Sequence, residues 1–186
     1  MENTKKSSFR QAAVIGLKLL LICAIVAGVV SLVYSVTKDT YEKNLENTKN
    51  EAVSEIFGIK GLTREDLGDG VSAVHNAEGQ LIGFSVEAKS GGFGGDVEVM
   101  VGYDALTGEV IGVRVIAHSE TPGLGAKAAE DSFLSQYKDQ SGEIVLGEDV
   151  DAISGATISS KAVTAAVNTA TETLKAVLEA KGGAIK

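Results

Sequence analysis

The sequence is poor in the residues that build metal and disulfide sites. Its 186 residues include one cysteine, Cys23, and two histidines, His75 and His118. A lone cysteine forms no disulfide within the chain and cannot bind a cluster that needs several thiolate ligands. The two histidines lie far apart and show no spacing that is typical of a metal site. We therefore expect no metal site in this chain.

Basic residues are also scarce after the first forty positions. The whole chain has 17 Lys and Arg residues against 25 Asp and Glu, which gives a formal net charge of -8 at pH 7. Residues 40–186 alone hold 12 basic and 23 acidic residues, a net charge of -11. A surface of this sign is a poor partner for nucleic acid and is repelled by an anionic membrane face. Nucleic acid is therefore excluded as an expected partner.

Apolar residues, by contrast, are concentrated in one long run near the N-terminus. Residues 12–36 read AAVIGLKLLLICAIVAGVVSLVYSV, and Lys18 is the only charged residue among them. About 20 apolar residues span the hydrocarbon core of a bilayer. The run is too long for the apolar region of a typical signal peptide, and no clear cleavage site follows it. We predict an uncleaved transmembrane helix over residues 12–36.

The basic residues of the N-terminal region lie before this helix or near its start. They are Lys5, Lys6, Arg10 and Lys18, and Glu2 is the only acidic residue beside them. Cytoplasmic flanks of membrane helices are enriched in Lys and Arg. The pattern predicts a single-pass protein of the cell (inner) membrane, with a cytoplasmic tail at residues 1–11 and the remainder of the chain outside the cytoplasm.

Residues 37–70 are predicted to leave the membrane as a helix followed by a linker. Apolar residues recur at helical spacing as far as Phe57, and Gly58 is typical of a helix end. Residues 59–70, IKGLTREDLGDG, have the composition of a linker.

The pattern changes to β-type alternation at residue 71. Val97, Val99 and Val101 alternate with other residues, and turn signals at residues 76–79 and 104–108 divide the region into hairpins. We predict an antiparallel meander over residues 71–117.

The last third of the chain predicts helices around short strands. Residues 128–138 are typical of a short helix, and residues 143–153 of one or two short strands. A long helical pattern then runs from Ile158 to Gly182 and Gly183. The fold class is therefore α+β, with a single N-terminal transmembrane helix followed by an antiparallel sheet packed with helices in a domain over residues 71–186.

The long helix begins with an excess of small hydroxyl residues. The motif is Ser154-Gly155-Ala156-Thr157, and Ser159 follows closely. One explanation is that Ser154 or Thr157 caps the helix. The other is that a phosphate binds there, because the first amides of a helix lack partners and carry partial positive charge. One cap needs only one hydroxyl, but the motif alone leaves both explanations open.

Two glycine-rich segments also leave two explanations open. Residues 118–125, HSETPGLG, contain the only proline of the chain and hold Leu124 between two glycines. Leu124 then packs either into the core or onto a planar ring, and His118 at the end of a strand is typical of a structural histidine. Residues 90–96, SGGFGGD, form either a plain hairpin loop, which we favour, or a close backbone approach to a ligand.

Two common catalytic motifs are missing from the sequence. There is no Gly-x-x-x-x-Gly-Lys-Ser/Thr loop, so nucleotide hydrolysis has no support, and no Gly-x-Ser-x-Gly nucleophile turn.

Taken together, the motifs resemble those of the FMN-binding domain family. Asp151 followed by residues 154–157 is similar to that family's Asp-x-x-Ser/Thr-Gly-Ala-Thr signature, and residues 118–125 are similar to its second block. One anchor before such a domain resembles the G subunit of Rnf electron-transport complexes, a near relative of the C subunit of the sodium-translocating NADH:quinone reductase. The resemblance covers nearly the whole chain.

This resemblance implies FMN that is joined through its phosphate to Thr157, by a separate flavin transferase that uses FAD and magnesium. Further contacts to the cofactor are implied for the other motif residues, namely Asp151, Ser154, Gly155, Ala156, His118, Glu120, Thr121, Gly123, Leu124 and Gly125. Leu124 is expected to pack on the isoalloxazine ring, with Glu120 and Thr121 as polar contacts. The low aromatic content, 5%, favours aliphatic over aromatic packing on that ring.

The implied function is that of a redox subunit in a membrane-bound complex. Electrons would pass through FMN between the ferredoxin and NAD sides, while other membrane and redox subunits couple the transfer to Na⁺ or H⁺ translocation. No residue of this chain is expected to be catalytic on its own, since the flavin carries the chemistry. Two alternatives remain open, a C-type quinone reductase subunit and a non-enzymatic, membrane-anchored binding module outside the cytoplasm.

Overall fold

The computed structural model describes residues 2–182, without the side chains of residues 2–15, 39, 40 and 42. The chain forms two compact units, Met1–Asn47 and Thr48–Lys186. Helix α1 covers Glu2–Phe57 and so includes most of the predicted tail, whose Met1 lies outside the described residues. The predicted helix end at Gly58 agrees with the structure, where this glycine has a left-handed φ of +66°.

The first unit contains the apolar part of α1. An 18-residue window within Gly16–Phe57 has a mean hydropathy of 2.7, and none of it is buried. Leu20 and Val30 are 65% and 62% exposed. A core helix of a soluble protein would bury these side chains. The segment is instead exposed, and it has the length and composition of a membrane-spanning helix. A membrane location of the chain is therefore supported.

The second unit contains a five-stranded antiparallel sheet in sequential order. Its strands are β1 (Thr63–Gly68), β2 (Val71–His75), β3 (Leu81–Gly91), β4 (Asp96–Asp104) and β5 (Val110–Ala117), and each pairs with the next. The predicted meander over residues 71–117 is confirmed. The linker prediction for residues 59–70 is wrong in part, because β1 lies there.

Strand β1 was missed because its residues, TREDLG, are mostly polar and show no apolar alternation. What creates it is the turn that follows. Asp69 and Gly70 have φ values of +53° and +76°, and positive φ at both central residues is what a two-residue hairpin turn of type I′ requires. This turn folds Thr63–Gly68 back onto β2 as an edge strand.

The sheet is covered on both faces. On one face, helix α3 (Thr157–Ala180) packs Val163, Val167 and Leu174 against strand residues such as Val99 and Val101. On the other, the end of α1 covers a second cluster, which consists of Ala52, Val53, Ile56, Val74 and Met100. The alternation of β4 therefore serves two cores, since its odd positions face α3 and Met100 faces α1.

Two glycines allow α1 to approach the sheet closely. A side chain on Gly83 would collide with the ring of Phe57, and one on Gly102 would collide with Ile56. Bare backbone at both positions lets these two helical side chains lie directly on the strands.

The connection from β5 to α3 differs from its prediction. The predicted helix over residues 128–138 consists of a short helix, α2 (Asp131–Leu134), between two 3-10 turns, Gly125–Ala129 and Ser135–Tyr137. The strands predicted at residues 143–153 are wrong, because only an isolated bridge joins Leu146 and Val150. The side chain of Asn168 on α3 takes the place of a partner strand, accepting the amide N–H of Ile144 and donating to its carbonyl, both at 2.9 Å.

Several hydroxyl groups of α3 face the core. The Thr164 hydroxyl pairs with that of Tyr137 at 2.7 Å, and the Thr171 hydroxyl pairs with that of Tyr103 at 2.9 Å. Burial raises the pKa of Tyr137 to about 12 and also raises the pKa of Tyr103, so both phenols stay neutral donors or acceptors. The predicted helix end agrees at Gly182, with φ of +77°, while Gly183 lies outside the described residues.

Candidate functional site

A cavity of about 360 Å³ lies in the second unit where three segments meet. These are the glycine-rich connection between β3 and β4, the segment that follows β5, and the start of α3. Ten residues line it: Phe93, Glu120, Thr121, Leu124, Gly125, Gly155, Ala156, Thr157, Ile158 and Ser159. Its size is within the usual range for small-molecule sites, about 300–1,000 Å³.

Helix α3 starts at the wall of this cavity with unpaired amides. Gly155 has a left-handed φ of +79°, which turns the chain into the helix. The N-cap residue is Ala156, and it offers no side-chain cap. Within residues 2–182, the amide N–H groups of Thr157, Ile158 and Ser159 donate to no acceptor. Three donors and the positive end of the helix dipole are therefore available at one place.

The capping explanation for the hydroxyl cluster is wrong. Neither Ser154 nor Thr157 bonds to the first turn, because the N-cap position falls on Ala156 between them. The turn is instead held by Ser160, whose hydroxyl accepts the amide N–H of Ile153 and donates to the carbonyl of Ala156, both at 3.0 Å. The Thr157 side chain is exposed and makes no hydrogen bond within the described part of the chain.

Glu120 is buried in the cavity wall, with 6% of its surface exposed. Its Oε1 accepts the amide N–H groups of Phe93 and Gly94 at 2.8 and 3.1 Å, and its Oε2 accepts the Ser159 hydroxyl at 2.6 Å. Burial alone would raise the pKa of Glu120, but these donors and the nearby His118 hold that pKa below its ordinary value. The carboxylate is therefore ionised at neutral pH.

Glycines allow the three segments to approach each other. A side chain on Gly94 would collide with the backbone carbonyl of Ser119, and one on Gly125 would collide with the Glu120 carboxylate and the Ser159 hydroxyl. The connection at residues 92–95 is a tight hairpin loop, closed by a hydrogen bond from the amide of Gly92 to the carbonyl of Gly95 at 2.8 Å. Gly94 is thus required by a neighbouring backbone, and Gly125 by the paired side chains of Glu120 and Ser159.

Exposed apolar side chains surround the opening. Phe93, Leu124 and Ile158 are 70%, 52% and 52% exposed, and each comes from a different segment. The Cδ2 of Leu124 lies 3.8 Å from the position that a Cβ on Gly155 would take, so Leu124 borders the start of the helix. An apolar group bound here would meet exposed apolar side chains from all three segments.

The structure brings together seven of the eleven residues that the sequence predicted as contacts: Thr157, Ala156, Gly155, Glu120, Thr121, Leu124 and Gly125. The other four do not line the cavity: Asp151, Ser154, His118 and Gly123. His118 supports the wall, since its Nδ1 accepts the amide N–H of Glu120 at 3.2 Å. Gly123 supplies a left-handed φ of +76° in the turn before Leu124.

Three lining residues escaped the sequence prediction, namely Phe93, Ile158 and Ser159. The signal for Phe93 was present in its four neighbouring glycines, but a hairpin loop explained them equally well. The low aromatic content favoured an aliphatic wall, whereas Phe93 adds one aromatic ring to it. Ile158 and Ser159 follow the signature directly, and only the helix geometry shows that both reach the cavity.

A sequence model of the FMN-binding domain matches residues 92–180, a range that contains all three cavity segments. The chain is 41% identical over 102 residues to the G subunit of the proton-translocating ferredoxin:NAD(+) oxidoreductase complex of Clostridium ljungdahlii, an alignment covering 50% of this chain and 54% of that protein. It is 30% identical over 172 residues to the G subunit of the ion-translocating oxidoreductase complex of Methanosarcina acetivorans, covering 85% and 92%. The first alignment spans about half of its relative, and the second nearly all.

The fold also matches a solved structure. The C subunit of the Na(+)-translocating NADH-quinone reductase from Parabacteroides distasonis superposes with a TM-score of 0.50 at 22% identity, over 57% of this chain and 61% of that one. At this identity the likeness concerns the fold, and it agrees with the predicted antiparallel sheet packed with helices.

Proposed function

Because the chain belongs to the family of G subunits of ion-translocating oxidoreductase complexes, we propose that it is a membrane-anchored electron carrier with FMN joined covalently to Thr157. A relative is named as a subunit of a ferredoxin:NAD(+) oxidoreductase complex. We assign ferredoxin and NAD(+) as the two ends of the electron path here as well. Other membrane and redox subunits of the complex are the partners. Ion translocation belongs to those subunits, since the described residues supply one candidate membrane helix.

The observation that carries the proposal is the position of the Thr157 hydroxyl. It is exposed, lacks a hydrogen bond within residues 2–182 and lies at the cavity beside three amides that also lack acceptors. Such amides at a helix N-terminus suit the two non-bridging oxygens of a phosphodiester, which share one negative charge. The apolar rim of Phe93, Leu124 and Ile158 suits an isoalloxazine ring, so the residues present fit FMN.

In this arrangement the bound FMN would supply the electron chemistry, while the protein holds and shields it. Thr157 provides the point of attachment, and the partial positive charge at the first turn of α3 stabilises the phosphate charge. Gly155 and Ala156 leave the approach to the hydroxyl open for a flavin transferase, which is the maturation partner of the proposal. Gly155 is exposed, and neither residue has a bulky side chain.

The direct test is to coexpress the full chain with a flavin transferase and to run the denatured protein on a gel. We expect a fluorescent flavin band with the transferase and none without it, together with a mass increase of one FMN unit less water. A chain that stays colourless with active transferase would refute the covalent proposal and favour a plain binding module. A C-type quinone reductase subunit is less favoured, since its likeness to this chain rests on the fold.

We also propose that residues 1–11 are cytoplasmic, that residues 12–36 span the membrane, and that the domain over residues 71–186 lies outside the cytoplasm. The support is the cluster of basic residues before the apolar run. A phosphatase reporter fused after Lys186 should therefore be active in intact cells, and a fluorescent protein that folds only in the cytoplasm should stay dark there. The reverse pattern would overturn this orientation.

A further inference from the structure

The Glu120 carboxylate joins two walls of the cavity that are distant in sequence. Phe93 and Gly94 lie 27 and 26 residues before it, and Ser159 lies 39 residues after it. One carboxylate oxygen holds the loop and the other holds the first turn of α3. No other residue among those lining the cavity makes side-chain hydrogen bonds to two of its segments in the described chain.

The contacts of this carboxylate are those of an anion. All three are donors that point into it, namely two backbone amides and one hydroxyl. An ionised carboxylate only accepts hydrogen bonds, and such charge-assisted bonds are about twice as strong as neutral ones. Because Glu120 is 6% exposed, water competes little for these donors.

We propose that Glu120 is a positioning residue whose ionised carboxylate holds the Phe93 loop against the start of α3 and so fixes the shape of the cavity before any cofactor is attached. The sequence predicted Glu120 as a polar contact of the flavin, but its oxygens are engaged inside the protein. The inference rests on the proposed function only for the identity of the ring that the cavity receives.

Three variants separate the charge of the carboxylate from its hydrogen bonds to the two walls. Glu120→Gln keeps an acceptor oxygen for the two amides, and its NH₂ group can donate to the Ser159 hydroxyl, so the connection persists without charge. Glu120→Ala removes the connection from both walls. Ser159→Ala removes it from α3 alone. Glu172→Gln, at an exposed position near the other end of α3, is the matched control for loss of one negative charge.

The first readout is hydrogen exchange of the full chain in detergent, before flavin is attached. In a peptide that covers residues 92–95, we expect Glu120→Ala to exchange about tenfold faster or more, because the amides of Phe93 and Gly94 lose their acceptor. Glu120→Gln should fall between wild type and Glu120→Ala, and Ser159→Ala should show a smaller increase than Glu120→Ala. Glu172→Gln should match wild type.

The second readout is quenching of the attached flavin's fluorescence by iodide. The quenching constant should rise in Glu120→Ala and Ser159→Ala and return toward wild type in Glu120→Gln, at equal flavin content. Unchanged exchange and unchanged quenching in Glu120→Ala would overturn the inference even if flavin is attached. If Glu120→Ala does not fold, wild-type exchange at residues 92–95 in Ser159→Ala overturns it instead. A wild-type chain without flavin would refute the proposed function and leave the exchange result to decide this inference alone.

Discussion

Replacing Thr157 with alanine is expected to reduce covalent flavin to background, whereas replacing it with serine should retain most of it. The phosphoester needs a hydroxyl oxygen at this position, and serine presents one at the same first residue of α3. Alanine at an exposed helix position that makes no hydrogen bond should leave the fold intact. The measurement is flavin fluorescence per mole of denatured full-length chain after coexpression with the transferase.

The matched control for this pair is Ser154→Ala. Ser154 is an exposed hydroxyl of the same motif, but it does not line the cavity. Its replacement should leave flavin content near that of wild type. A fluorescent band that persists in Thr157→Ala and disappears in Ser154→Ala would assign the attachment to Ser154. Loss of the band in both variants would indicate that the transferase requires both hydroxyls of the motif.

Replacing Gly94 with alanine is expected to open the cavity and to destabilise the domain. The added Cβ would collide with the backbone carbonyl of Ser119, and a backbone atom cannot turn aside as a side-chain end can. The loop must therefore move away from residues 118–120, which breaks the hydrogen bonds from the amides of Phe93 and Gly94 to Glu120. Overpacking of this kind costs about 1–3 kcal/mol of unfolding free energy, which lowers the melting temperature by several degrees.

The control for Gly94 is its neighbour Gly91, at the end of β3. A Cβ on Gly91 would meet nothing within 4 Å, and its φ lies outside the left-handed region. Gly91→Ala should therefore melt within about 2 °C of wild type, because a tolerated surface change shifts stability by less than about 0.5 kcal/mol. Equal melting temperatures for the two variants would show that the loop and residues 118–120 are not in firm contact.

The sequence predicted the features that repeat along the chain and missed those that depend on distant partners. The alternation of Val97, Val99 and Val101 was sufficient to place a meander, because each hairpin is a local structure. The polar strand β1 carried no such alternation. The backbone at Ile144 was predicted as a strand, since no local pattern reveals that a side-chain amide 24 residues away takes the place of a strand.

The same division holds within the site. Both motifs were recognised, and the structure brings seven of their residues to one cavity. The pairing of Glu120 with the loop at residues 93–94 was missed, as was the exposed ring of Phe93. Both features depend on where β3 and β5 end and where α3 begins in space. The spacing of residues within a single motif does not reveal these positions.

The two buried hydroxyl pairs, Thr164 with Tyr137 and Thr171 with Tyr103, restrict movement of α3 along its own axis. An apolar helix face can slide along a sheet with little change in contact area. Here a shift by one turn, about 5.4 Å, would separate Thr164 from Tyr137 and Thr171 from Tyr103, and both buried phenol hydroxyls would lose these partners. These polar pairs, two and four turns further along α3, therefore fix the position of Thr157 along the helix axis. A reactive group at the tip of α3 would keep a constant distance to any redox partner that docks on the domain.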